Sequence, residues 1–213
     1  MLFRSLIKKE NLESKITVIL SDYRELTGKY DKVASIEMIE AVGHKFLPKY
    51  FEQCHALLKD DGLLGLQMIL FPDRRYEISR KSVDFIQKHI FPGSLLPSMK
   101  SVHDALYKTG DLNLFRYEDI SSHYVKTLLT WKENFNRNKQ VILDTGKDEQ
   151  FLRKWNYYFS YCAAAFQMRH ISVVQAVFTR SNNHSLHDDL EVALSAKDQE
   201  MLQQINDNVF KEN

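Results

Sequence analysis

The stretch KVASIEMIEAVGHKF (32–46) sets the reading of the chain. Its first half, KVASIEM (32–38), is apolar and β-branched and predicts a buried strand. The run stops on Glu37, Glu40, Gly43 and His44, with two carboxylates three residues apart just ahead of the glycine. One carboxylate there is ordinary loop; two at the mouth of a strand point to a site. Working outward, FLPKYFEQCHALL (46–58) puts Leu47, Tyr50, Phe51, Cys54, Leu57 and Leu58 on one helical face, with Pro48 in the first turn and Gly62 beyond the end. KITVILSD (15–22), ahead of the opening stretch, and LLGLQMIL (63–70), behind it, both read as strands. Strand, helix, strand with nearly continuous apolar strands predicts an α/β fold, a parallel sheet doubly covered by helices. Ligands of such sheets bind at the carboxyl ends of the strands, where Glu37, Glu40 and FPDRRYE (71–77) fall.

Residues 71–110 interrupt the alternation with three of the four prolines, and predict a helical cap: a helix over about 78–90, a loop and another short helix. NLFRYEDI (113–120) is a further strand. SSHYVKTLLTWKENF (121–135) spaces Tyr124, Leu128, Trp131 and Phe135 as one helix face, and EQFLRKWNYYFSYCAAAFQMR (149–169) does so with Phe151, Trp155, Phe159, Cys162 and Phe166. ISVVQAVFTR (171–180) is the last strand. Residues 181–213 are a polar tail in which Leu190, Leu194, Met201, Leu202 and Ile205 fit an amphipathic helix. The chain thus divides into 1–180, with the cap at about 71–110, and the tail.

A net charge of +1 speaks against nucleic acid as the partner. The apolar run LLGLQMILF (63–71) is too short to span a bilayer, and MLFRSLIKKENLESK (1–15) has no signal-peptide core, so a cytoplasmic protein is expected. Cys54 and Cys162 read as two thiols, and no metal spacing is present. None of the seven glycines forms a GxG, so no glycine-rich loop of the nucleotide-cradling kind exists in the chain.

The blocks LSDYRELTGKYDKVASIEMIEAVGHK, VDFIQKHIFPGSLLPS, EDISSHYVKTLLTWKENF and YYFSYCAAAFQMRHISVVQAVF resemble, in order and over roughly residues 10–180, the cyclopropane-fatty-acyl-phospholipid synthase family of S-adenosylmethionine-dependent methyltransferases. The resemblance implies a class I methyltransferase-type, doubly wound, mostly parallel sheet with a helical cap. It implies methyl transfer from S-adenosylmethionine to a cis double bond of a phospholipid acyl chain, then loss of a proton from the carbocation to a bound bicarbonate. On the matching positions Glu40 accepts from the bicarbonate OH, Tyr124 donates to the anion, Cys162 lies beside it, and Asp22 and Tyr23 flank the adenine. Glu37 supports the same site or merely ends the strand, and is grouped with the donor-binding residues. An alkene is a poor nucleophile and its cation reacts with water, so such a site has to align its reactants and stay dry.

Two departures from the family pattern stand out. Gln67 sits where well-known bacterial members carry a histidine; its amide still donates but cannot change charge near neutral pH. The family's N-terminal part, with its glycine-rich loop and ribose-binding acidic residue, has no match here. The chain is therefore expected to be truncated on that side. The two unmatched strands would leave a gap between KITVILSD and KVASIEM, and with it weak donor binding and a poorly packed monomer.

Bland alternatives stay open. Glu40 reads equally as a solvated helix-start residue, Tyr124 as a core tyrosine, Cys162 as a buried inert thiol and Gln67 as a strand residue satisfying its neighbours. Arg74, Arg75, Arg80, Lys81 and Lys88 fit either an anionic phospholipid surface or a solvated helix face. The expected partners are a phospholipid acyl chain at the inner membrane face and an N-terminal fragment or a second copy. Competing functions are a methyltransferase with another acceptor and a non-catalytic remnant that binds membrane or a homologue.

Overall fold

The computed structural model describes residues 2–186, 199–201 and 204. The chain divides into two units, Met1–Ser181 and Asn182–Asn213. In chain order the first contains α1 (Leu2–Lys9), a 3-10 turn (Tyr23–Glu25), β1 (Tyr30–Ile36), α2 (Leu47–Leu57), β2 (Leu58–Leu70), α3 (Asp73–Ser79), α4 (Phe85–His89) and α5 (Met99–Thr109). It continues with β3 (Leu112–Asp119), α6 (Ser121–Arg137), α7 (Lys139–Asp144), α8 (Glu149–Gln167) and β4 (Ser172–Arg180). In the second unit a short turn covers His184–Leu186. Of the five apolar positions proposed for a tail helix, only Met201 lies within the described residues, and it is helical.

The strands lie in the order β1-β2-β4-β3. β1 and β2 are parallel, as the strand–helix–strand reading requires. β4 runs antiparallel to both its neighbours, so β1, β2 and β3 share one direction and β4 alone opposes it: the described sheet is mixed but mostly parallel in strand direction. The reason lies in the connection. One crossover helix returns a chain to the start of the next parallel strand. Between β3 and β4 stand two long helices packed antiparallel, with Lys132 beside Ser160 and Asn136 beside Asn156. They bring the chain back to the end of β3 from which it left, and β4 has to run the other way.

KITVILSD forms no strand. Lys15 and Ile16 bond back to the Leu12 carbonyl, and Leu20 is 97% exposed. Among the described residues no strand is placed to pair with it, and an unpaired strand is not stable. The expected internal gap is therefore absent: the sheet is continuous and β1 is its edge. The helix expected over 78–90 is two helices. Asp84 starts the second with a capping box, accepting from the Gln87 amide while the Gln87 side chain accepts from its own. β2 starts at Leu58 rather than at residue 63, directly after α2.

Alternation along the strands builds two cores. Leu64, Leu66, Met68 and Leu70 of β2 and Val174, Ala176 and Phe178 of β4 face α2 and α5, joining Tyr50, Phe51, Val102 and Leu106. Val173 and Ile69 face the other way, towards Leu128, Phe159, Ala163 and Phe166 of α6 and α8. At the far end from the candidate site, the half-exposed carboxylate of Asp111 accepts from the buried Arg180 (2.6 Å) and lies 2.8 Å from His55 Nε2, tying α2, β3 and β4 together. Gly110 is needed for this approach: a Cβ there would lie 2.5 Å from the His55 ring. Gly110→Ala is expected to lower stability by about 1–3 kcal/mol through overpacking. An unchanged urea midpoint would refute this.

Candidate active site

The site is built by strand register. Ile36 of β1 pairs with Gln67 of β2, and Gln67 pairs with Gln175 of β4. Gln67 lies between Leu66 and Met68, so its side chain takes the opposite face from theirs, the face of α6 and α8. One residue past β1 the Glu37 amide donates to the Gln67 carbonyl (2.9 Å), and the Glu37 backbone turns to φ 50°. A polar chain follows. Gln175 Nε2 donates to Gln67 Oε1 (2.9 Å), and Gln67 Nε2 donates to Glu37 Oε1 (2.9 Å) and to the Tyr124 hydroxyl (2.7 Å). The Tyr124 hydroxyl in turn donates to Glu37 Oε1.

Tyr124 is aimed by the start of α6. The Asp119 carboxylate accepts from the Ser121 amide (2.9 Å), and Ser121 Oγ accepts from the Val173 amide (3.0 Å). The Tyr124 ring packs on Phe166 at 5.3 Å. Burial raises the pKa of its hydroxyl, and the bond to Glu37 raises it further, so it stays a protonated donor.

Glu40 has a different role. Its side chain is 6% exposed. Oε1 accepts from the Ile69 amide (2.6 Å), and the Glu40 carbonyl accepts from the Leu95 amide (2.8 Å). It thus joins the turn after β1 to β2 and to the cap. Oε2 is buried without a partner. Burial pushes the carboxyl upward, against the bond from Ile69, and the negative charge of Glu37 adds to the rise.

Beside Glu37 and Tyr124 opens a cavity of about 530 Å³ between the cap and the α6–α8 pair. Its apolar wall includes Ile69, Phe71, Ile78, Leu95, Leu128 and Trp131; its polar groups include Glu37, Tyr124, Tyr158 and Cys162. The cap meets α8 through Phe85 and Tyr157, with ring centroids 4.5 Å apart. Burial pushes the Cys162 thiol up to about 12 and the neighbouring Tyr158 hydroxyl up to about 12. Cys162 is thus a wall thiol and no thiolate nucleophile. At the rim Arg75 lies 2.8 Å from His170 and over the Phe71 ring at 5.5 Å.

Of the sequence-derived site residues, the fold gathers Glu37, Gln67, Tyr124 and Cys162, and sets Glu40 behind them as a buried brace. Asp22 and Tyr23 do not line the cavity. Asp22 caps the 3-10 turn and pairs with Arg24 (2.6 Å), while Tyr23 packs on Tyr50. Tyr158 and Gln175 were missed. Gln175 had a signal, a lone glutamine inside an apolar strand, as Gln67 is. Among the described residues no three His, Cys, Asp or Glu side chains could hold a metal, and no helix is long and apolar enough to cross a membrane.

Bicarbonate fits these residues poorly. The two donors that would hold it, Tyr124 and Gln67, already serve Glu37 Oε1. The buried Oε2 of Glu40 could accept a hydroxyl, but the anion would then stand beside two carboxylates.

Sheet, cap and cavity define a methyltransferase-type α/β domain. The chain belongs to the mycolic acid cyclopropane synthetase family, whose model matches residues 1–176. It is 36% identical over 166 residues to the tuberculostearic acid methyltransferase of Mycobacterium tuberculosis, covering 78% of this chain and 39% of that protein. It is 32% identical over 172 residues to the cyclopropane-fatty-acyl-phospholipid synthase of Escherichia coli, covering 80% and 43%. The chain therefore spans less than half the length of these relatives. A cyclopropane synthase of M. tuberculosis superposes with a TM-score of 0.69 at 24% identity, over 83% of this chain and 66% of that one. A mycolic acid cyclopropane synthase solved with SAH and CTAB gives 0.69 at 25% identity, over 81% and 65%.

The raised carboxyl of Glu40 has a consequence for pH. Its unfolded value is about 4.3. The stability it contributes is fully present below that and is lost as pH rises through the higher folded value. Glu40→Gln cannot titrate, so its melting temperature should gain on wild type as pH rises above about 4. Parallel curves would rule out a buried, upward-shifted Glu40.

Proposed function

We propose that this chain is the acceptor-holding part of an S-adenosylmethionine-dependent methyltransferase whose substrate is the cis double bond of a phospholipid acyl chain. The observation that carries the reading is the cavity: an apolar, aromatic-walled slot with a hydrogen-bonded carboxylate–tyrosine–amide cluster at one side. An acyl chain matches the wall, and the aromatic rings of Trp131, Tyr158 and Phe166 that line it suit a developing cation. Arg75 and His170 at the rim suit an anionic head group, consistent with work at a membrane surface on the cytoplasmic side.

When bound, S-adenosylmethionine supplies an electrophilic methyl group. The chain's own residues hold the alkene, keep water out and fix the polar cluster. The donor site itself needs a further polypeptide segment. The chain has no glycine-rich loop, Glu37 is exposed, and among the described residues the outer edge of β1 is unpaired, with Ile36 63% exposed beside it. Pairing along that edge would complete the sheet and cover the site. The relatives' names span several lipid acceptors, among them a sphingolipid C9-methyltransferase of Candida albicans, so a different unsaturated lipid is the second reading.

Calorimetric titration of S-adenosylmethionine tests this, into the chain alone and mixed with the N-terminal half of a relative. Binding is expected only in the mixture, with a methylene added to an oleoyl phospholipid. Tight binding by the chain alone would refute the need for a second segment. A mixture that binds the donor but leaves the lipid unmodified would refute the acceptor.

A further inference from the structure

We propose that Glu37 is a resident carboxylate occupying the anion position of the site, so that this chain takes the proton on its own side chain and does not use bicarbonate. The inference rests on the methyltransferase reading. Three observations meet at one residue. Glu37 lines the cavity. Its Oε1 receives both the Gln67 amide and the Tyr124 hydroxyl, the two donors a bound anion would need. Its backbone stands at φ 50°, a left-handed conformation that suits glycine and is unfavourable for glutamate, so the side chain is kept there against local preference. Glu40 cannot take the role, because its carboxyl is buried against the Ile69 amide and does not line the cavity.

The chemistry balances without another reactant. The alkene π pair forms a bond to the donor's methyl carbon as the carbon–sulfur bond breaks and leaves a neutral thioether. The resulting cation loses a proton to Glu37 Oε2, the oxygen not engaged by Tyr124 or Gln67. The released C–H pair closes the ring as its second new C–C bond, or forms a new C=C if the proton comes from a neighbouring carbon. Tyr124 and Gln67 act as positioning residues that hold the carboxylate aimed.

The test has a binding arm and a turnover arm. In the first, the ¹³C resonance of labelled bicarbonate is followed with the chain. Wild type should leave it sharp. Glu37→Gly, which suits the φ 50° backbone and frees both donors, should broaden it, and adding Tyr124→Phe should remove the broadening. In the second, the chain is supplied with the N-terminal half of a relative and an oleoyl phospholipid. Wild type should turn over equally with and without bicarbonate, and Glu37→Gln, which keeps the acceptor oxygen, should fall by about 100-fold. Glu37→Gly should be rescued by bicarbonate. Broadening by wild type, none by Glu37→Gly, bicarbonate-dependent wild-type turnover, or full activity in Glu37→Gln would each overturn the proposal. No turnover by wild type would overturn the methyltransferase reading, and the base with it, whereas wild-type turnover retained in Glu37→Gln removes only the base.

Discussion

The pairing of Ile36 with Gln67, and of Gln67 with Gln175, is the constraint on which the rest depends. It decides which face of the sheet every side chain of β1, β2 and β4 takes. A slip by one residue would send Gln67 into the packed core of Leu66, Met68 and Phe178 and bring Met68 out beneath Tyr124. Burying Leu64, Leu66, Met68 and Leu70 together penalises that slip heavily, at about 1.5–3 kcal/mol for each large side chain exposed. The hydrophobic core on one face therefore fixes the polar cluster on the other.

Two glutamates three residues apart come to occupy opposite environments. Glu37 sits at the end of a strand, exposed and bonded to side-chain donors. Glu40 sits one turn later in the 3-10 segment, buried against a backbone amide, with one oxygen lacking a partner. Burial disfavours the charge on Glu40, while Glu37 is met by two side-chain donors at one oxygen. The division of labour between a bracing carboxyl and a chemically available carboxylate follows from these surroundings alone.

Much of this was legible in the residues. The alternation in GLQMIL and SVVQAVF marks strands whose single glutamines must lie on a different face from their apolar neighbours, and the periodicity of residues 121–135 and 149–169 gave the helix pair. The carboxylate cluster was visible, but its internal assignment was not, because the backbone turn at Glu37 that swings its side chain towards Tyr124 leaves no mark in the pattern. KITVILSD misled for a clear reason. Its β-branched run has strand propensity, and propensity without a partner strand makes no strand. The direction of β4 was equally hidden, since it depends on whether the chain returns to the sheet along one long helix or along two.

The two walls of the cavity differ in stiffness. The α6–α8 wall is clamped at its start, where Ser121 Oγ holds the Val173 amide, and along its length by Lys132 with Ser160 and Asn136 with Asn156. The opposite wall is made of α3 and α4, of seven and five residues, separated by a break at 80–84. Short, separate helices yield more readily than a clamped pair. On the lipid-acceptor reading proposed above, molecules of different girth would be accommodated by the cap, while Tyr124 and the strand ends keep their spacing. On that reading, tolerance in what is bound and strictness in where it is held fall to different walls.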